Sequence, residues 1–218
     1  MSESKIRAFD SLAWAYDSWF EEEGRLIFAS EVEALRQALP LLPRPWIEVG
    51  VGSGRFAQAL GIDIGLDPSS GLLKIARNRG ARVLLGRGEE APFKDGSFGA
   101  IFFIATLCFI DSPNRILTEA ARLLKSQGKV VLGLVLKESP WGQLYQREKE
   151  TGHRFYRHAT FYRYAEVEML LMQTGFSIEK VASTLFQNPG KVNHIELPRQ
   201  GFSADAGFAV ILAGKTTV

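Results

Sequence analysis

Residues 23–39 place Leu26, Ile27, Phe28, Val32, Leu35 and Leu39 at three- and four-residue intervals. That spacing predicts a helix with one buried face, closed by Pro40 and Pro43. A short apolar segment at 46–49 follows, then a run of glycines, then a helix over 55–60. Residues 62–66 read as a second strand, and 72–79 as a helix that Ser69 or Ser70 caps and Gly80 ends. A third strand is predicted at 83–85. A fourth, at 100–104, is apolar throughout, as a strand covered on both faces must be. A helix over 115–124, closed at Gln127-Gly128, leads to a fifth strand at 130–136. A helix at 165–174 and strands at 177–186 and 208–213 complete the chain. Strands that alternate with helices require parallel pairing through crossover connections. The expected fold is therefore α/β: a Rossmann-like, doubly wound, mostly parallel seven-stranded sheet with helices on both faces and an antiparallel last strand. We expect one domain over 1–218, with a helical arm at 1–40 and an insertion at 137–163.

Composition narrows the class. The 218 residues carry 26 Lys+Arg and 24 Asp+Glu, a formal net charge of +2. That balance speaks against a general nucleic-acid binder. The 46% apolar content is that of an ordinary globular domain. One cysteine, Cys108, allows no intrachain disulfide, and three histidines at these spacings form no metal-ligand pattern. The N-terminal MSESKIRAFDS lacks the apolar core of a signal peptide, and the longest apolar run, 101–110, is too short to span a bilayer. A cytoplasmic protein with no membrane insertion is expected.

The chemistry lies in Glu48-Val49-Gly50-Val51-Gly52-Ser53-Gly54, between a strand and a helix. Glycines permit a tight turn and the close approach of a ligand to backbone. The following helix would offer free N–H groups to an anion. Asp67 ends the second strand, where a carboxylate can accept both hydroxyls of a ribose. Together they predict a site for an adenosine-containing cofactor. A dinucleotide fingerprint would need a third glycine at position 55, which is Arg. A carboxylate two places before the first glycine suits a cationic ligand instead. S-adenosyl-L-methionine (SAM), with its sulfonium and ammonium, meets both requirements.

These residues resemble the class I SAM-dependent methyltransferases, and among them the ubiquinone/menaquinone-type small-molecule enzymes. The likeness extends through Gly65-Leu66-Asp67-Pro68-Ser69, through Gly86-Arg87-Gly88-Glu89-Glu90-Ala91-Pro92-Phe93 with Asp95-Gly96-Ser97-Phe98, and through Leu107 to Pro113, Glu119, Arg122-Leu123-Leu124-Lys125 and Gly128-Lys129. It includes Ala15-Tyr16-Asp17 in the arm. The resemblance implies that Gly50, Gly52 and Gly54 line the methionine moiety and that Glu48 orients its amino end. It implies that Asp67 binds the ribose, Pro68 packs on the adenine, and Gly88 and Glu89 flank the ring. Ala105 would offer its carbonyl to the SAM ammonium, and Tyr16 would close over the methionine end. Trp14, Trp19 and Phe20 would give the arm apolar surface to fold back on the sheet. Arg87 stands where relatives carry an adenine-accepting Asp, and a guanidinium cannot accept a hydrogen bond. Gly99 replaces another usual Asp, and Ser126-Gln127 a usual turn.

The insertion holds six basic and three acidic residues and six of the chain's aromatics. It follows the fifth strand at the edge where the methyl group would point. We expect it to be a lid, with Trp141, Tyr145, Phe155 and Tyr156 contacting a small-molecule acceptor. His153, His158 and His194 are the candidate general bases, although alignment alone supplies much of the rate of methyl transfer. His194 reaches the ligand face if the strand at 177–186 runs parallel to the others. The competing functions are a non-catalytic SAM-binding protein and a nicotinamide-dependent oxidoreductase.

Overall fold

The computed structural model describes residues 1–216, so residues 217 and 218 of the expected domain lie outside the described residues. Two short helices, α1 (Glu3–Ser11) and α2 (Ala13–Trp19), precede α3 (Arg25–Arg36). Then come β1 (Trp46–Val49), α4 (Arg55–Leu60), β2 (Ile64–Asp67), α5 (Ser70–Asn78), β3 (Val83–Leu85) and β4 (Phe98–Ile104). The second half holds α6 (Pro113–Leu123), β5 (Leu124–Leu134), α7 (Pro140–Glu150), α8 (Tyr164–Gln173), β6 (Phe176–Thr184), β7 (Arg199–Gln200) and β8 (Phe208–Lys215).

The sheet order is β3-β2-β1-β4-β5-β8-β6-β7. β1 to β5 pair in parallel, and β8 runs antiparallel between β5 and β6. β6 therefore points the same way as β1 to β5, as expected. The sheet has eight strands rather than seven. The extra one, β7, is a two-residue edge pairing to β6, too short to leave a periodic signal. β5 also starts at Leu124, so Ser126-Gln127-Gly128 lies within the strand instead of closing a helix.

Period-two alternation divides β4 between two cores. Phe103 faces a cluster closed by Ile116 and Leu117 of α6 and Val167 and Leu171 of α8. Phe102 faces Leu35 of α3, Phe56 and Leu60 of α4, and Trp141 of α7. All seven residues of β4 are buried, which accounts for its unbroken apolar run. Gly99, within β4, is dictated by close approach: a Cβ there would stand 2.0 Å from the Pro43 carbonyl oxygen. Its N–H donates to the Pro45 carbonyl at 2.8 Å.

The order of strands reverses between β1 and β4. In open α/β sheets such a reversal opens a crevice at the carboxyl ends of the strands.

Candidate functional site

A pocket lies at that crevice, bordered by the loops after β1, β2, β3 and β4. Gly50 and Gly52 line it from the first loop, Asp67 and Pro68 from the second, Gly88 and Glu89 from the third, and Ala105 and Thr106 from the fourth. Tyr16 reaches it from α2. Eight of the ten residues expected to hold the cofactor thus meet around one cavity, although Tyr16 and Ala105 lie 89 positions apart in the chain.

The loop's geometry follows from its residues. Gly50 and Val51 donate their N–H groups to the Leu66 carbonyl at 2.7 and 3.2 Å, which turns the chain sharply after β1. Gly50 has φ +79°, and a Cβ there would meet the Thr106 side chain at 2.3 Å. Conformation and close approach both require glycine at that point. Asp67 spans the site floor. One carboxylate oxygen accepts the Gly52 N–H at 2.9 Å and the other the Ser69 N–H at 2.8 Å. The loop therefore spends an N–H on an internal carboxylate, and is less open to an external anion than its sequence predicts. Burial pushes the Asp67 carboxyl up to about 6 although both N–H groups oppose the rise. Ala105 holds a left-handed φ of +49°, unusual for a residue with a Cβ, which turns the chain at the mouth of the pocket.

Two expected cofactor residues stand elsewhere. Gly54 caps α4 from behind the loop, where an added Cβ would touch Ala76 of α5 at 3.0 Å. Its freedom is spent on helix packing. Glu48 lies within β1, is 1% exposed, and does not line the pocket. One of its carboxylate oxygens has no hydrogen-bond partner. Burial first, then the charge of Asp67, holds the Glu48 carboxyl well above the usual range. It sits in the sheet layer directly beneath the glycine loop.

The arm is pinned by charge. The Asp17 carboxylate receives two hydrogen bonds from Arg55 at 2.8 and 2.9 Å and two from Arg79 at 2.9 and 3.1 Å. Asp10 accepts Ser69 Oγ and the Gly71 N–H at 2.7 and 2.8 Å, docking α1 on the start of α5. Arg55 and Arg79 were legible only as departures from a glycine pattern and as an ordinary helix-end cation. Their partner is far away in sequence, and neither spacing nor composition signals it. Tyr16 closes on Gly52, 3.7 Å from where a Cβ would stand. Burial, followed by the charges of Asp67 and Glu48, raises its hydroxyl. The arm's apolar surface differs from expectation: Phe9, Ala13 and Phe20 are buried, whereas Trp14 is 78% exposed. Helical geometry turns Trp14 away from the face that Ala13 and Asp17 share. Arg87 also faces the arm, binding Glu3 at 2.7 Å and the Met1 carbonyl at 3.0 Å.

The insertion divides. Phe155 stacks on Phe9 at 5.6 Å and meets Tyr16 edge-on at 5.6 Å, next to the pocket. Tyr145 stacks on Tyr156 at 4.2 Å, and Tyr156 on His153 at 4.5 Å. Trp141 is 3% exposed, and its indole N–H donates to the Gln187 carbonyl at 3.0 Å. It belongs to the core, a correction to its expected role as a wall of the acceptor pocket. None of the three histidines lines the cavity. His153 Nδ1 accepts the Tyr156 N–H at 3.3 Å, His158 accepts a bond from Arg157, and His194 pairs with Asn193 on an exposed loop. Burial, then the charges of Arg157 and Lys5, lowers His158. Sequence reasoning missed Phe9, Leu72, Phe109, Ile110 and Ile116, which supply the apolar walls, and Thr106, whose hydroxyl donates to the Ile104 carbonyl at 2.9 Å. Apolar residues at element ends carry no mark that separates wall from core.

Comparison with known proteins bears on this site directly. The family model described as a methyltransferase domain matches residues 47–132, the span from β1 into β5. The crystal structure of a SAM-dependent methyltransferase from Thermotoga maritima, a possible histamine N-methyltransferase, is 38% identical. It superimposes with a TM-score of 0.89, covering 96% of this chain and 99% of that one. The chain belongs to the SAM-dependent methyltransferases. Its cofactor is S-adenosyl-L-methionine and its reaction is methyl transfer. An uncharacterised protein of Mycobacterium tuberculosis is 43% identical over 203 residues, which are 92% of this chain and 71% of the relative. A demethylmenaquinone methyltransferase of Thermotoga maritima is 29% identical over 139 residues, 58% of this chain and 59% of its own length. Among the described residues, no helix of this methyltransferase is long and apolar enough to cross a membrane.

Proposed function

We propose that this methyltransferase acts in the cytoplasm on a small-molecule acceptor, with the cofactor seated in the pocket between Asp67 and Ala105. The observation that carries the reading is the convergence of four loops on that pocket, with a buried carboxylate at the end of β2. The residues present suit the adenosyl sulfonium. Asp67 keeps free lone pairs on both oxygens beyond its two N–H bonds, enough for two ribose hydroxyls. Pro68, Gly88 and Glu89 flank the adenine, while Leu72, Ile110 and Ile116 cover it. Gly50 and Gly52 leave room for the methionine chain, and the Ala105 carbonyl accepts its ammonium. Glu48 acts indirectly, through the β1 backbone that leads into the glycine loop. When bound, SAM supplies a sulfonium whose methyl carbon is open to direct attack. The chain's part is to align the acceptor and exclude water. Tyr16 and Phe155 do both, because their rings meet where the arm and the insertion close over the pocket.

The near-neutral charge supports a small molecule over a nucleic acid. Amines belong first on an acceptor panel, given the description of the Thermotoga maritima relative. Calorimetry tests the cofactor reading. S-adenosylhomocysteine is expected to bind with a Kd on the order of 1 μM, about −8 kcal/mol, with no measurable heat from NAD. Tight NAD binding without S-adenosylhomocysteine binding would return the site to the nicotinamide-dependent oxidoreductases. Cofactor binding without turnover across the panel would leave a non-catalytic SAM-binding protein.

A further inference from the structure

The two helices of the arm are held by contacts of different kinds. α2 is fixed through Asp17, whose buried carboxylate is clamped by Arg55 and Arg79. α1 is held at three points on its surface. Near its last turn, Asp10 takes the bonds from Ser69 and Gly71 that dock it on α5. A Cβ on Gly71 would stand 3.0 Å from the Asp10 carbonyl oxygen, so this end of the helix rests directly on α5. Farther up the helix, Lys5 Nζ donates to the Phe109 carbonyl at 3.1 Å and to the Asp111 carboxylate at 2.6 Å, in the segment after β4. Glu3, at the helix start, accepts a bond from Arg87, in the segment after β3. One helix thus bridges three segments that follow strands bordering the cofactor pocket. Met1, just before it, and Phe9, near its end, line that pocket together with Asp67, Pro68, Gly88 and Glu89.

Between the two helices, at Leu12, φ is −112° and ψ is 14°, against about −63° and −42° within a helix. Residues at element ends that break regular geometry are where segments swing. The energetics on the two sides of Leu12 differ. Separating a buried ion cluster is expensive, whereas pairs open to water contribute little. Beyond Leu12 the Asp17 cluster is buried. Before it, Glu3 is 71% and Arg87 45% exposed, and Asp111, the partner of Lys5, is 42% exposed. α1 therefore parts from its neighbours far more readily than α2 does.

We propose that α1 is a hinged strap across the adenosine end of the cofactor site, turning at Leu12, and that Lys5 and Arg87 are the positioning residues that hold it shut and so set the rate of cofactor and product exchange. Arg87, which stands where relatives carry an adenine-accepting Asp, serves the strap instead of the ring. Neither Lys5 nor Arg87 lines the pocket. Their bonds are therefore the same with the site filled or empty, and a contact that does not distinguish two states cannot shift the balance between them. Weakening these latches speeds entry and exit alike and leaves affinity nearly unchanged. The inference rests on the cofactor placement above.

The test measures association and dissociation rates of S-adenosylhomocysteine by surface plasmon resonance on the full chain. Lys5→Met loses bonds made by a charged donor, and both rates are expected to rise about tenfold. Arg87→Met loses a more exposed pair, and both rates are expected to rise about threefold. Kd is expected to stay within threefold of wild type in each. The reversed pair Lys5→Glu with Asp111→Lys is expected to exchange more slowly than Lys5→Glu alone, which a merely structural role for Lys5 would not produce. Unchanged rates in Lys5→Met overturn the proposal. So does faster dissociation with unchanged association, which would make Lys5 an ordinary contributor to affinity. A reversed pair that exchanges as fast as Lys5→Glu overturns it as well. Equal binding of S-adenosylhomocysteine by wild type and Asp67→Ala would be a different failure, that of the cofactor placement itself.

Discussion

Asp17→Ala is expected to destabilise the folded protein by about 3–5 kcal/mol, the usual result of removing one partner from a buried ion cluster. The Asp17 side chain is 7% exposed, and its partners Arg55 and Arg79 are 12% and 15% exposed. Deleting the carboxylate leaves two guanidinium groups facing each other out of water, with only Glu21, 70% exposed, beside Arg55. For a chain of this size each kcal/mol moves the melting temperature by about 2–4 °C. The loss should therefore be obvious in a thermal scan. Glu33→Ala, which breaks the exposed Arg36–Glu33 pair, is the control and should cost no more than about 0.5 kcal/mol. Burial works against ionisation of Asp17, but the Arg55, Ser53 and Arg79 bonds prevail and hold its carboxyl below the usual range. The cluster's contribution is therefore present above the unfolded value of 3.8 and lost as pH falls through the lower folded value. Hydrogen exchange should report the same event locally, with faster exchange across residues 9–20 in Asp17→Ala. A melting temperature within a degree or two of wild type would show that the arm is held by its aromatic contacts alone.

Asp67→Ala is expected to weaken S-adenosylhomocysteine binding by a factor on the order of a hundred or more. Each unpaired polar group left behind costs about 1–3 kcal/mol, and the substitution strands the Gly52 and Ser69 N–H groups as well as the ribose hydroxyls. Part of the loss is therefore in loop order. Asp67→Asn keeps the shape and separates the two contributions, since its amide accepts at one atom only. The pH dependence supplies a signature. With a folded value of about 6, Asp67 is partly protonated in mildly acidic solution. Ribose hydroxyls donate to the ionised form, so binding expels the proton and affinity should rise with pH through about 6 to a plateau. Asp67→Asn should lack that rise. Its persistence in the variant, read by calorimetry in buffers of different ionisation heat, would assign the proton to another group.

The cofactor site was far more legible than the acceptor site, and the reason is physical. A glycine loop, a strand-ending carboxylate and a turn after the fourth strand are local requirements. Each is set by a backbone that must approach a ligand closely, so each leaves its mark on a few consecutive residues. Gly50 shows this well, because no other residue tolerates both its φ and the Thr106 side chain. Gly54 shows the limit, since its glycine answers a helix behind the loop and reads the same in sequence. Trp141 and Phe155 sit fourteen positions apart in one aromatic-rich segment. One is sealed in the core beside Gln187 and the other stacks on the arm, a distinction that composition does not contain.

Alternating apolar runs and helical spacing determined, without any coordinates, that this chain forms a mostly parallel α/β sheet. The glycine loop with Asp67 determined that its crevice takes an adenosine-containing cation. These outcomes depend on backbone geometry and on neighbours in sequence. The tertiary structure alone decided that Asp17 meets Arg55 and Arg79, that Asp67 binds the Gly52 and Ser69 N–H groups, and that no histidine lines the cofactor pocket. Charge pairing and burial are set by side chains that converge from distant segments, and the free energy of a buried carboxylate depends on which groups arrive beside it. One-dimensional order carries no record of that arrival.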